Sequence, residues 1–325
     1  MSTANPPLDY NAFKSYIQMH IKDCIEEQIP ECKITEVCVF PAIKNNDTCY
    51  EAMQLFEEEG HSPLIYMDSL YDEYRHGRSL DKIMETVACD YAQVRSQENM
   101  AAPEVWKSFA AVKDRLIFRL VNREKNSCFL EHCPYRGVLD LAVSYRVLTS
   151  RMESGIATLM VTNTMMDGWG VTEQALYDLA VENTMRLFPA CLKTMRELAD
   201  EGLEQACEAR GDTLDMEKVF DLELFVATNS CGVNGASVIC YPGFLASVGK
   251  TLNSDFFVLP SSIHEVILLP AWEGVTGKAL SKIVSGANAG IVAKDEFLSD
   301  SVYYYCIQNG EIKKCSGQTG ENLLQ

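Results

Sequence analysis

The stretch SDFFVLPSSIHEVILLP, residues 254–270, decides the fold of this chain. Two apolar runs of strand length flank a short polar segment, and polar clusters between apolar runs are typical of turns. The pattern therefore predicts two strands joined by a turn. That turn also holds the candidates for catalysis, which are Ser262, His264 and Glu265.

The elements around this stretch follow an order that occurs twice. RGVLDLAVSYRVL (136–148) alternates in polarity and predicts one strand, with IATLMVT (156–162) as its hairpin partner. A helix with Thr172 as its N-cap follows, and the motif GVTEQAL at 170–176 recurs as GVTGKAL at 274–280. We predict two strand–strand–helix units, which arose by duplication or by convergence.

The remaining elements complete an α+β fold. In the last third, FVATN (225–229) and ASVICY (236–241) predict strands around a hairpin turn, and Asn309-Gly310 predicts another hairpin. Apolar periodicity near the N-terminus predicts helices and three strands. We expect an N-terminal α+β lobe, then strand–strand–helix units that form a mixed or antiparallel sheet with packed helices. The expected domains are residues 1–115, 116–210 and 211–325.

The charge of the chain excludes one class of partner. With 46 acidic and 28 basic residues the net charge is −18, which repels nucleic acid and disfavours an anionic membrane surface. The stretch 192–223 is the most acidic, and whether it is a binding face or a solvated surface stays open. No apolar run is long enough to span a membrane, and the N-terminus lacks the features of a secretory signal.

The thirteen cysteines favour a reducing compartment. They are scattered, odd in number and without a C-x-x-C pair, and five histidines offer no zinc-binding spacing. We therefore expect free thiols, a cytoplasmic location, no metal and no cofactor. Cys231 and Cys133 are candidate nucleophiles, but sequence alone does not show a cation close enough to make either reactive.

The polar turn at Ser262, His264 and Glu265 has two interpretations. It could serve a hydrolase, with help from Asp140 or Arg146, or its hydroxyls could only satisfy backbone groups. His264-Glu265 begins like a zinc-protease motif, but the second histidine is missing. We favour the structural interpretation, and Asp140, Arg146 and Trp169 are the candidates for binding a ligand.

Several motifs together resemble a known family. The run 254–270, VAKDEFLSDSVYYY (292–305), WGVTEQALYDLAVENT (169–184), KDRLIFRLVN (113–122) and LYDEYRHGRSLDKI (70–83) are similar to the domain of unknown function 5688, an uncharacterised family of anaerobic Firmicutes. The resemblance implies an α+β bacterial protein associated with mobile elements. It supplies no catalytic residue.

These observations favour a non-catalytic binding or regulatory protein that contacts a protein or a small molecule. The alternatives are a hydrolase that uses His264 and Glu265, or an acidic anti-defence protein of a mobile element. The sequence leaves the ligand, the protein partner and the oligomeric state open.

Overall fold

The computed structural model describes residues 8–57, 64–96, 106–152, 155–198, 224–260, 262–272, 275–290 and 292–315. The chain forms two compact units, one of Met1–Lys44 with Thr48–Ala111 and one of Asn45–Asp47 with Val112–Gln325. Helices and antiparallel sheets occur together, so the predicted α+β class is confirmed. The predicted boundary at 211 and most of the acidic stretch fall outside the described residues.

The first unit packs helices on one three-stranded antiparallel sheet. Its elements are α1 (Tyr10–Gln28), β1 (Ile34–Ile43), β2 (Cys49–Glu57), β3 (Ile65–Tyr66), α2 (Met67–Arg75) and α3 (Leu80–Ser96). Phe13, Ile17, Ile21 and Ile25 recur at helical spacing on α1 and are wholly buried in the core of the unit. The predicted interruption of the long helix at His76 is confirmed, since Gly77 there has a φ of 95°.

The second unit holds two antiparallel sheets. A short helix, α4 (Phe109–Val112), reaches the start of this unit. The remaining elements are β4 (Leu116–Asn122), α5 (Ser127–Leu130), β5 (Tyr135–Val138), β6 (Leu141–Met152), β7 (Gly155–Met160), α6 (Asn163–Trp169), α7 (Glu173–Leu187), β8 (Ala190–Thr194), β9 (Phe225–Asn229), α8 (Phe244–Leu252), β10 (Phe256–Pro260), β11 (Val266–Pro270), α9 (Gly277–Gly290), β12 (Tyr303–Cys306) and β13 (Glu311–Lys314).

The hairpin predicted from residues 254–270 lies at the centre of the larger sheet. β10 pairs with β11 in antiparallel register from Phe256–Pro270 to Pro260–Val266. The strand order is β13-β12-β10-β11-β9-β8, and every pair is antiparallel. Leu280 and Val284 of α9 pack on Phe257 and Leu269. The apolar runs are continuous rather than alternating because this central hairpin is buried on both faces.

The prediction of one strand over 136–148 is wrong. The chain turns back after β5, and β5 pairs with β6 as a hairpin whose last pair is Val138 with Leu141. The turn requires a φ of 57° at Leu139, a conformation that is strained for a residue with a branched side chain. The alternation of apolar and polar residues continues through the turn, so the sequence looks like one uninterrupted strand although the chain reverses there. The predicted pairing of 156–162 with this strand is confirmed by β6 and β7.

The prediction of a strand over 236–241 is also wrong, together with its hairpin turn at 232–235. Residues Gly235–Cys240 form a 3-10 helix instead. Its Ser237 hydroxyl lies 3.2 Å from the backbone nitrogen of Leu120 and accepts its hydrogen bond. The β-branched residues of this segment are buried in the helical turn, so packing outweighs their strand propensity.

Side chains cover the free edge of β4. Among the strands that the structure describes, β4 pairs with β6 alone. Thr184 accepts a hydrogen bond from the backbone nitrogen of Phe118, as Ser237 does from Leu120. The amide of Asn183 donates to the carbonyl oxygen of Leu116. Buried backbone groups need partners, and here polar side chains of α7 and of the 3-10 helix supply them.

The repeated motif has the same local role in both copies. The Thr172 hydroxyl accepts a hydrogen bond from the Ala175 nitrogen, and the Thr276 hydroxyl accepts one from the Ala279 nitrogen. Each threonine therefore begins a helix by satisfying one of its unpaired nitrogens.

Candidate functional site

The turn between β10 and β11 holds the three candidates for catalysis. The Ser262 hydroxyl accepts a hydrogen bond of 3.0 Å from the His264 backbone nitrogen, and the Ser262 nitrogen donates to the Glu265 carbonyl at 3.3 Å. The His264 carbonyl accepts from the Thr228 hydroxyl at 2.8 Å. These contacts are those of a tight turn, and the Ser262 hydroxyl stabilises that turn by accepting a hydrogen bond from its backbone.

The imidazole of His264 has a defined neighbour at each ring nitrogen. Its Nδ1 accepts a hydrogen bond of 3.3 Å from the Asn234 backbone nitrogen, which places the ring proton on Nε2. Its Nε2 lies 3.6 Å from the Glu296 carboxylate, beyond direct hydrogen-bond distance. A general base needs a ring nitrogen directed at the nucleophile, and neither nitrogen is directed at Ser262.

The bond from Asn234 predicts that His264 stabilises the fold. We expect His264→Ala to lower the melting temperature by about 2–4 °C, because one hydrogen bond contributes roughly 1 kcal/mol. Thermal unfolding followed by circular dichroism measures the effect. His132→Ala is the matched control, since His132 is exposed and we expect no shift there. Equal melting temperatures for both variants would contradict a structural role for His264.

The two candidate cysteines have different surroundings. Cys231 is exposed, and its thiol lies 3.2 Å from the Asn229 side-chain oxygen. Cys133 is 2% exposed, and burial raises its pKa to about 11 against the opposing charges of Arg119 and Arg146. The Cys133 thiol is therefore protonated at neutral pH and is a poor nucleophile. Every cysteine of the described residues is a free thiol.

The candidate Asp140 lies at the turn between β5 and β6 and contacts the C-terminal part of the chain. Its carboxylate accepts hydrogen bonds of 2.7–2.8 Å from the hydroxyls of Ser299, Ser301 and Tyr303, and Lys314 lies 3.3 Å away. Burial alone would raise the pKa of Asp140, but the three hydroxyls and the Lys314 charge outweigh it and lower that pKa. The carboxylate thus connects the smaller sheet to β12 and β13.

The candidates Arg146 and Trp169 lie on other elements. Arg146 is on β6, and its Nε donates a hydrogen bond of 2.6 Å to the Thr158 hydroxyl on β7. Trp169 is the last residue of α6 and is half-buried. The contacts of Asp140 are with Ser299, Ser301, Tyr303 and Lys314, so the structure does not gather the three ligand candidates around one point.

Arg146 instead belongs to a polar group on the smaller sheet. In the register of β4 and β6, Arg119 lies directly opposite Ser144, and Arg146 follows two residues later on the same face of β6. Diagonal neighbours in such a pair are about 7–8 Å apart, so the three residues lie side by side on one face of the sheet. We call Arg119, Ser144 and Arg146 the arginine face.

The arginine face combines buried and accessible groups. Ser144 is wholly buried, and among the described residues its hydroxyl has no hydrogen-bond partner. Both arginines are partly exposed, and both act electrostatically on the thiol of Cys133. The Arg119 guanidinium lies 5.6 Å from the ring centre of Phe129. A buried hydroxyl without a partner is costly, because the hydrogen bonds it would make with water are not replaced.

The alternating pattern of residues 136–148 puts Ser144 and Arg146 on one face, but it gives no indication of Arg119. The alternation of LIFRLVN in β4, with Leu116, Phe118 and Leu120 on one side, was a signal for it. Glu296 and the partners of Asp140 were missed because they depend on how distant segments pair. No local pattern in the sequence reports such contacts.

Comparison with known proteins places the chain in a family. Among the described residues, no group of three His, Cys, Asp or Glu side chains could hold a metal ion, and no helix combines the length and apolar character needed to cross a membrane. No curated protein and no solved structure matches the chain. A family model described as a family of unknown function, DUF5688, matches residues 10–306. The chain therefore belongs to the DUF5688 family.

Proposed function

We propose that this chain is a non-catalytic binding protein of the cytoplasm that holds a small ligand on the arginine face. The observation that carries the proposal is the wholly buried Ser144 hydroxyl, which has no partner among the described residues. Ligand sites commonly place a few fixed polar groups among apolar walls, and Val121, Leu130 and Ala142 form an apolar cluster with Cys133 at this sheet. The free thiols support a reducing compartment.

The polar turn at His264 supports the non-catalytic part of the proposal. Ser262 and His264 have hydrogen-bond partners that build the turn, and neither ring nitrogen faces a nucleophile. The hydrolase alternative would require the ring of His264 to turn away from Asn234 and Glu296. The expected origin in anaerobic Firmicutes and the association with mobile elements stay predictions.

Native mass spectrometry of the purified full chain tests the proposal. We expect a species heavier than the polypeptide by the mass of one small molecule, or a rise in melting temperature when low-mass cell extract is added. A bare polypeptide without any thermal response to the extract would contradict ligand binding. Hydrolysis of ester or peptide substrates that disappears in His264→Ala would contradict the non-catalytic assignment.

A further inference from the structure

The outer side of α9 carries positive charge on a chain whose net charge is −18. Lys278 and Lys282 are both exposed there, and the helix contains no acidic residue. Ile283 lies next to them along the chain and is 65% exposed, which puts it among the most exposed large apolar side chains of the described residues. A partner that covers this side of α9 would therefore bury Ile283 and meet two positive charges.

The part of the chain that the structure describes neither neutralises these lysines nor covers this side of α9. Lys278 and Lys282, which we call the basic pair, make no hydrogen bond and no ion pair with any described residue. Gly286 and Gly290 follow Ile283 on the same side of the helix, and a Cβ atom at either position would have no neighbour within 4 Å. The basic pair is thus accessible and its charge is uncompensated.

The outer side of α7 carries the opposite charge. Asp178 and Glu182, which we call the acidic pair, are exposed and lie one turn apart. Glu182 has no hydrogen-bond or ion-pair partner among the described residues. Asp178 accepts one hydrogen bond from the amide of Gln174, which leaves its charge in place. Arg186, one turn further along, donates to oxygen atoms of other residues and does not pair with Glu182.

The two pairs match in spacing. Residues four apart on a helix face the same side with their Cβ atoms about 5–6 Å apart, so the basic and the acidic pair have the same separation. The repeated motif that begins both helices puts Asp178 and Lys282 at equivalent positions, six residues after the capping threonine. Helices α7 and α9 therefore present complementary charges at matching intervals, whichever way one helix runs along the other.

This complementarity points to a second copy of the chain as the partner. A contact between α9 and the α9 of a second copy would place lysines against lysines, whereas α7 against α9 pairs opposite charges. Every copy carries both helices, so the contact forms twice about a two-fold axis and closes the assembly as a dimer. We infer that two copies associate through the basic pair of each and the acidic pair of the other, with Ile283 buried between the helices.

The repulsion between two acidic chains does not prevent such a dimer. At about 0.15 M ionic strength, exposed charges more than about 8 Å apart are largely screened, whereas lysine and carboxylate groups in contact are much closer than that. A helix of 14 residues is about 21 Å long and 10 Å wide, so four helix faces bury on the order of 800 Å². Contacts of this size are weak, and we expect the chain to be monomeric at low micromolar concentration.

Analytical ultracentrifugation of the full chain tests the inference. Between about 2 and 100 µM, at about 0.15 M ionic strength, we expect the mass to rise from that of a monomer toward that of a dimer. Lys278→Glu with Lys282→Glu places carboxylates against the acidic pair, so we expect a monomer throughout. Asp178→Lys with Glu182→Lys is expected to act in the same way. The protein with all four substitutions has the charges exchanged, and we expect it to form the dimer again.

Two single substitutions test the apolar contact and the specificity. Ile283→Ser removes an apolar side chain that each dimer buries twice, so we expect the dissociation constant to rise about tenfold or more. Because Ile283 is exposed in the single chain, its replacement is expected to leave the melting temperature at low micromolar concentration unchanged. Lys250→Glu is the matched control, since Lys250 is exposed on α8, and we expect it to associate as the wild type does.

The outcomes separate this dimer from other behaviour. A monomer mass at every concentration overturns the inference, and so does a dimer that the substitutions in the basic pair leave intact, because a different surface would then form the contact. Failure of the four-fold variant to associate overturns the pairing of α7 with α9. Loss of the dimer in both charge-reversed proteins and its return in the four-fold variant supports the inference, whether or not the arginine face binds a ligand.

Discussion

Gly235→Ala is expected to destabilise the protein by about 3 kcal/mol and to lower its melting temperature by roughly 6–12 °C. A Cβ atom at this position would lie 2.0 Å from the Thr228 hydroxyl oxygen, 2.3 Å from the His264 carbonyl oxygen and 2.8 Å from the Asn229 nitrogen. The last two atoms belong to the backbone and cannot rotate away. The 3-10 helix must therefore move from the β10–β11 turn. Chemical denaturation of the full chain measures the change.

Two further variants make the Gly235 result specific. Gly286→Ala is the matched control, because Gly286 lies in α9 with nothing within 4 Å, and alanine there is expected to stabilise by up to about 1 kcal/mol. Adding Thr228→Ala to Gly235→Ala removes the closest opposing atom, so we expect partial recovery of stability. A Gly235→Ala protein as stable as the wild type would show that the two segments are not in close contact.

Asp140→Asn is expected to destabilise the protein by about 2 kcal/mol at neutral pH. The carboxylate accepts hydrogen bonds from three hydroxyls and faces Lys314. An amide has only one acceptor oxygen, and its NH2 group would point at hydroxyls that donate. Asp178→Asn is the matched control, since Asp178 is exposed and accepts one hydrogen bond from Gln174. We expect its unfolding free energy to change by less than about 0.5 kcal/mol.

The lowered pKa of Asp140 also predicts that the effect of Asp140→Asn on stability depends on pH. The folded state lowers the pKa of Asp140 below its ordinary value of 3.8. A depressed pKa stabilises the folded protein fully above the unfolded-state pKa, and this stabilisation disappears as the pH falls through the folded-state pKa. The difference in unfolding free energy between wild type and Asp140→Asn therefore shrinks from neutral pH to about pH 3. A difference that is constant over this range would contradict the assigned interaction.

Local patterns predicted most of the elements in this protein. The caps at Thr172 and Thr276, the hairpin of residues 254–270 and the interruption near His76 depend on neighbours within a few residues, and the structure confirms them. The reversal at Leu139 could not be predicted in this way, since leucine is among the residues least suited to a positive φ.

Only part of the candidate site could be predicted from the sequence. The face shared by Ser144 and Arg146 follows from alternation, but the position of Arg119 opposite Ser144 depends on the register of β4 and β6. The segment 236–241 has strand propensity, yet its Ser237 hydroxyl bonds to Leu120 and its apolar residues are buried in a helical turn. Such contacts between distant segments override local propensity.

The hydroxyls and the amide that lie along β4 also bear on how the protein behaves at high concentration. An exposed strand edge offers its nitrogens and carbonyls to any extended chain, which is a common route to strand exchange and fibre growth. Here Thr184, Ser237 and Asn183 already occupy backbone groups of Phe118, Leu120 and Leu116. A second molecule would have to displace three hydrogen bonds before it could add a strand, so this edge resists self-assembly even though five of the seven residues of β4 are apolar.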